Sequence, residues 1–167
     1  GILMKYNGNE ETLIIPDNIR AISACVFYEC NTLKSVKLPD GISEIFAGTF
    51  YSCTNLETVI MPDSLIKIRL SAFEKCTSLK NVIFGRNLRN IHGAAFAGCT
   101  SLKELTIPDT VRVIEQHAFA NCTSLEKVTL SENTFISRRI FYGCEKIHIY
   151  SSQTGNEITD WYNGITY

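Results

Sequence analysis

The sequence predicts an α/β solenoid: a right-handed coil with a parallel sheet of short strands along its concave side and single helical turns on its convex side. Three columns of residues carry that prediction. Phe27, Phe50, Phe73, Phe96 and Phe119 stand 23 residues apart, and Cys30, Cys53, Cys76, Cys99 and Cys122 keep the same step. Leu33, Leu56, Leu79, Leu102 and Leu125 repeat it a third time. Composition alone cannot hold three independent sets in register. A fixed period of about 20 to 50 residues marks supersecondary units that stack because none can bury its apolar face alone. Function in such an array is expected to lie in what the strand face binds.

Residues 1–167 read as one domain, with an N-terminal cap over 1–12, repeats over 13–149 and a C-terminal cap over 150–167. The opening segment offers an entry strand around Leu3, Lys5 and Tyr6 and a turn at Asn7-Gly8, a strong turn dipeptide. The first repeat follows from Leu13 to Cys30, holding Ile15, Pro16, Asp17, Ile19, Ile22 and Phe27 at the repeat positions. Because that coil has one neighbour only, the segment before it is expected to cover its open core. In a full copy, Leu105 points in, Thr106 out and Ile107 in, which is strand periodicity with one buried face. Pro-Asp then follows at 16/17, 39/40, 62/63 and 108/109. Proline cannot donate to a ladder, so the strand ends there and the chain turns.

Apolar pairs three apart, Ile42 and Ile45, Leu65 and Ile68, Leu88 and Ile91, Val111 and Ile114, return the chain across the far face. Each coil closes through Ala72-Phe73, Ala95-Phe96 or Ala118-Phe119, and the short spacing to the next cysteine leaves room for about one helical turn. The coil from Leu79 departs from the pattern: Phe84 is larger than the Leu, Met or Ile of its column, and Gly85-Arg86 replaces Pro-Asp. Near the end, Phe119 to Phe141 and Cys122 to Cys144 shorten the step to 22. Ile147-His148-Ile149 supplies the last of seven equivalent strands, expected to form one parallel sheet, and a short helix through Trp161-Tyr162 is expected beyond it.

Composition bounds the function. Sixteen basic and seventeen acidic residues give a net charge of -1 with no basic run, so no nucleic-acid partner is expected. Apolar runs are far too short for a membrane span. The chain opens at Gly1 almost directly on the strand-like Ile2-Leu3-Met4, and it is expected to be a piece of a longer protein.

Six of the seven cysteines occupy one column, at 30, 53, 76, 99, 122 and 144. Equivalent residues on neighbouring coils lie about 4.8 Å apart with parallel Cα–Cβ vectors, which suits stacked buried thiols better than the torsion of about 90° in a disulfide. Zinc is not expected, because there is no CxxC pair and ligands must converge on a point. Cys25 stands outside the column and is the candidate for a reactive thiol, a packed residue being the plainer reading.

Written as LxxVxLPDxVxxIxxxAFxxCxxL, the unit resembles the bacterial BspA-type leucine-rich repeats, the 23-residue class also called the Treponema pallidum type. Residues 13 to 144 carry the pattern, and Tyr6-Asn7-Gly8 and Cys144 to Tyr150 resemble the family's ends. The resemblance implies a leucine-rich-repeat solenoid of a cell-surface or secreted bacterial protein, associated with adhesion to host matrix proteins or to other microbes, and it brings no catalytic residue and no cofactor. Gly41, Ser64, Asn87 and Thr110 stand where ordinary leucine-rich repeats carry an asparagine column. Ser23, Phe46, Arg69, His92 and Glu115 replace a glycine after the second isoleucine, which alters the local turn.

No catalytic set can be built from positions this dispersed, and the chain is not expected to be an enzyme. His92 is predicted to stack beside Glu115 as a surface pair, His117 to neighbour Ala94, and His148 to lie on the strand face beside Thr129. Asp17, Asp40 and Asp63 form a carboxylate column that could suggest calcium, yet turn residues are the plainer reading, since Arg86 and Glu132 interrupt it. Asn121-Cys122-Thr123 matches a glycosylation pattern but sits in the buried cysteine column. The outward strand columns remain. Ile60 and Ile83 are adjacent there, and Thr58, Ile60, Asn81, Ile83, Glu104 and Thr106 are the candidate contacts for a protein or glycan partner, of host matrix or microbial surface. The alternative is a structural spacer that presents another domain of a larger surface protein.

Overall fold

The computed structural model describes residues 1–158. It is a parallel solenoid whose strands, numbered in chain order, fall into two rows. The concave row is β2 (Thr12–Ile14), β4 (Ser35–Lys37), β6 (Thr58–Ile60), β8 (Asn81–Ile83), β10 (Glu104–Thr106), β12 (Lys127–Leu130) and β14 (His148–Ser151). The second row holds two-residue strands: β1 (Ile2–Leu3), β3 (Ala21–Ile22), β5 (Glu44–Ile45), β7 (Lys67–Ile68), β9 (Asn90–Ile91), β11 (Val113–Ile114) and β13 (Phe135–Ile136). All ladders between these strands are parallel, and Thr58 faces Asn81 just as Lys67 faces Asn90. The entry strand is thus Ile2–Leu3, and it pairs with Ala21–Ile22 in the second row.

The core between the rows is the set of columns read from the sequence. Phe27, Phe50, Phe73 and Phe96 are buried and stack nearly parallel at 4.8, 5.0 and 5.1 Å between centroids. Phe119 and Phe141 extend the pile at 5.4 and 5.7 Å. Tyr6 closes its open end, 4.9 Å from Phe27 at 49°. The thiols are free. Each of the five buried ones points at the carbonyl of the phenylalanine one coil back, from Cys53 Sγ to Phe27 O at 2.9 Å through Cys144 Sγ to Phe119 O at 3.2 Å. A cysteine here packs as a small hydrophobe while its S–H meets a carbonyl lone pair that the backbone leaves open. Burial pushes the Cys76 and Cys99 thiols far above their ordinary range.

Three expectations need correction. The convex side contains no helical turn among the described residues. Each coil instead places two residues in the left-handed region, four apart: Gly48 and Ser52, Ser71 and Lys75, Ala94 and Gly98, His117 and Asn121. The residues between them make tight i→i+3 bonds, such as Tyr51 N to Gly48 O at 3.0 Å, while Phe50 N and Ser52 N donate to Ala72 O and Glu74 O of the next coil at 2.8 Å. A helix would need those N–H groups for carbonyls four residues back. Spacing alone could not distinguish the two arrangements.

The concave row, secondly, is not one sheet. It divides into β2-β4-β6-β8 and β10-β12-β14, while the second row runs unbroken from β5 to β13 and separates β1-β3 from it. Thirdly, His148 pairs with Lys127, and Tyr150 takes the place beside Thr129. The segment before β14 has dropped a further residue from the already shortened step. Beyond β14 the chain folds back, with Glu157 bridging Tyr150 and Ile158 N donating to Ile149 O at 2.8 Å. The helix expected at Trp161-Tyr162 lies outside the described residues.

Two measurements check this packing. Phe73 loses stacking on both ring faces when truncated, so Phe73→Ala is expected to lower unfolding free energy by about 3–5 kcal/mol in urea titration. A thiol reagent on the native chain is expected to label exposed Cys25 fast and partly buried Cys30 more slowly. The remaining five should react only after unfolding.

Candidate functional site

The division of the concave sheet creates the site. By the repeat pattern of Thr58 N to Lys34 O, Lys127 N to Lys103 O and Met61 N to Ile83 O, the missing rung would join Glu104 N to Lys80 O and Phe84 N to Thr106 O. Neither bond forms, and most Cα pairs between β8 and β10 lie more than 8 Å apart. Paired strands stand about 4.8 Å apart. Below and above the gap the coils rejoin, through Ser101 N to Thr77 O at 3.1 Å and Thr110 Oγ1 to Arg86 O at 2.9 Å. The opening is therefore a window in the strand wall, closed at both ends.

The irregular coil supplies the cause. Phe84 stands where other coils hold Ile15, Leu38, Met61 and Ile107, and its ring fits by turning edge-on to Phe96, at 5.9 Å and 86°. Gly85 then leans against the preceding coil, so close that a Cβ there would sit 1.9 Å from Pro62 O. Proline could not make that approach. A bulkier ring on the inside and a backbone drawn toward the coil before it both widen the distance to the coil after it.

The result is a cleft of about 940 Å³ lined by Thr58, Lys80, Asn81, Val82, Ile83, Ser101, Lys103, Glu104, Leu105, Thr106 and Ser124. Of the six candidate contacts, Thr58, Asn81, Ile83, Glu104 and Thr106 line this cleft. Ile60 faces Ile83 across the ladder but is half-buried and belongs to a neighbouring hollow with Lys37, Asp40, Met61 and Asp63. Ile83 is 52% exposed. Asn81 Nδ2 donates to Thr58 Oγ1 at 3.2 Å, holding one wall. Sequence reading missed Lys80, Val82, Ser101, Lys103, Leu105 and Ser124; of these Val82 is half-buried where its equivalents Val36, Val59 and Val128 in the closed ladders are buried. The available signal was Phe84-Gly85, whose departure from the pattern was visible without its consequence.

The other candidate residues are structural. Asp17 Oδ1 accepts from Asp40 N at 3.1 Å, and Asp63 Oδ1 from Arg86 N at 2.8 Å, so these two carboxylates of the column cap turns from one coil to the next. Asn31 Oδ1 does the same for Thr54 N at 2.9 Å. His92 Nδ1 meets Glu115 Oε1 at 3.0 Å, and the other carboxylate oxygen accepts from Gly93 N at 3.0 Å. His148 Nδ1 meets Glu157 Oε1 at 2.6 Å. Among the described residues no group of three or more His, Cys, Asp or Glu converges as a metal site would, and no helix is long and apolar enough to cross a membrane.

Beside the hollow, Arg86 grips Asp63 with Nε at 2.8 Å and Nη2 at 2.6 Å, and those hydrogen bonds hold the Asp63 carboxyl below its ordinary range. A carboxylate whose folded pKa is depressed contributes stability above its unfolded pKa and loses it as pH falls through the folded one. Arg86→Ala is expected to raise the Asp63 titration, followed by carboxyl-carbon NMR, toward the usual carboxylate range, while the bond from the backbone N–H of residue 86 keeps part of the depression.

The model described as BspA type leucine rich repeat region matches residues 4–126 and 90–162, in six copies. Among solved structures the chain is similar to the leucine rich repeat protein of T. pallidum, at 27% identity and TM-score 0.77, over 87% of this chain and 82% of that one. A leucine-rich repeat protein from Bacteroides ovatus is 30% identical with TM-score 0.76, over 87% of this chain and 41% of that one. A leucine rich cell surface protein from Faecalibacterium prausnitzii is 25% identical with TM-score 0.71, over 93% and 50%. The chain thus spans half or less of the last two proteins. No curated protein matches it. With its repeats matched across most of its length, the chain belongs to the BspA-type leucine-rich repeat family.

Proposed function

We propose that this chain is a non-catalytic binding module of a bacterial cell-surface or secreted protein, and that it takes a protein or glycan partner on its concave face. The observation that carries the reading is the cleft of about 940 Å³ between β8 and β10. It joins an exposed isoleucine, a carboxylate at Glu104, amines at Lys80 and Lys103 and short hydroxyls, the mixture of apolar and convergent polar groups that recognition sites use. A likeness to a protein named as a leucine rich cell surface protein supports the location. Solenoid faces present such surfaces because successive strands align equivalent side chains over a long rigid span.

The test is a binding panel of extracellular matrix proteins, microbial cells and immobilised glycans, read by surface plasmon resonance. The double variant Ile60→Asp with Ile83→Asp is expected to bind its partner at least about tenfold more weakly, since one charge would sit in the cleft and the other in the hollow beside it. Circular dichroism should show the fold intact. A partner bound equally by both chains would move the site off this face, and a panel with no partner would favour a spacer role.

A further inference from the structure

Resting on that reading, we infer that the window between β8 and β10 is a slot for one extended polypeptide segment of a partner protein, which enters as an extra parallel strand and pairs with both edges. Two unpaired strand edges face each other across it. By the ladder pattern, one edge offers Lys80 O, Val82 N and O and Phe84 N, and the other offers the N–H and C=O groups of Glu104 and Thr106. A guest held at both edges needs alternating donors and acceptors at strand spacing on each of its sides, and a polypeptide backbone is the chemistry that has them. A glycan has no such regular pattern.

The dimensions agree. A strand inserted between two others needs them about 9.6 Å apart, twice the ordinary spacing. Most Cα pairs here already exceed 8 Å. The rejoining bonds at Thr77–Ser101 and Arg86–Thr110 limit the slot to the length of a three-residue strand, so the guest must enter and leave on the concave side. Its side chains are also specified. The central residue points inward between half-buried Val82 and Leu105, which is 4% exposed, and should be aliphatic. Its neighbours point outward among Asn81, Ile83, Glu104 and Thr106 and can be polar. The chain's own strand sequences have that pattern, so a peptide copying one of them is a suitable probe.

The probe is an end-blocked peptide of residues 123–131, TSLEKVTLS. In the free protein, amide exchange followed by NMR should be at least about 100-fold faster at Val82 and Glu104 than at Val59 and Val128, which lie in closed ladders. Equal protection would mean the window is shut in solution and would overturn the inference. Adding the peptide should slow Val82, Phe84, Glu104 and Thr106 at least tenfold. Protection confined to the outer strands β2 or β14 would count against it, as would no binding at all. A peptide N-methylated at its central valine keeps the side chain and loses a donor, and it should bind at least tenfold more weakly; equal affinity would sink backbone pairing. Phe84→Leu with Gly85→Pro restores the regular repeat and should close the window and abolish peptide binding, and Phe84→Leu alone serves if the double variant folds poorly. If these closed variants still capture the partner found in the binding panel while the Ile60 and Ile83 changes release it, the face acts through side chains and only the strand slot is lost.

Discussion

The lateral peptide hydrogen bond, from one coil to the next, is the constraint on which this molecule depends. In a helix an N–H finds its carbonyl four residues back, and in a hairpin it finds it across a turn. Here the distance along the chain is a whole coil, as Phe50 N to Ala72 O and Leu38 N to Ile60 O show. The period follows from it. Once each coil must satisfy its neighbour's backbone, equivalent side chains have to stack, and only those shapes that stack on copies of themselves can fill the core: flat rings at 27, 50, 73, 96 and 119, leucines, and thiols reaching back to a carbonyl. Polar residues obey the same rule, so Asp17, Asn31 and Asp63 cap the following coil rather than their own turn.

Columns of this kind are legible because they need no knowledge of distance. The step locates the strands, the buried phenylalanines and the cysteine line, and it places His92 against Glu115. What it could not specify is the path of the backbone between columns. Ala94 and Gly98 are left-handed where the letters allow a helical turn, because the choice is made by the next coil's carbonyls and not by local propensity. His148 lies beside Lys127 for a related reason: two of the usual 23 residues are lost before β14, and nothing in Ile147-His148-Ile149 says where the losses fall.

The cleft was half legible. Phe84, Gly85 and Arg86 announce an irregular coil, and the outward residues of β8 and β10 were candidates on other grounds. The opening itself is a difference of a few ångströms between two strands, produced by one ring turned on edge and one glycine pressed on Pro62. A pattern of letters reports that the coil differs from its neighbours without saying whether the misfit is absorbed inside or displaces the wall. The unbroken second row from β5 to β13 explains why the displacement stays local: the array is held closed on one side while it gapes on the other.

The line of free thiols has a consequence for how such a chain reaches its final state. In the finished coil the buried sulfurs are held against carbonyls and screened from reagents. In the unfolded chain they are beads at even intervals, each able to join any other through a loop of a size that closes readily. Outside a reducing compartment, folding and oxidation are then rivals, and every random crosslink locks two coils out of their stack. Wherever the unfolded chain meets an oxidant, coil-by-coil zippering competes with mispaired sulfur, and a slower zipper leaves crosslinking more time.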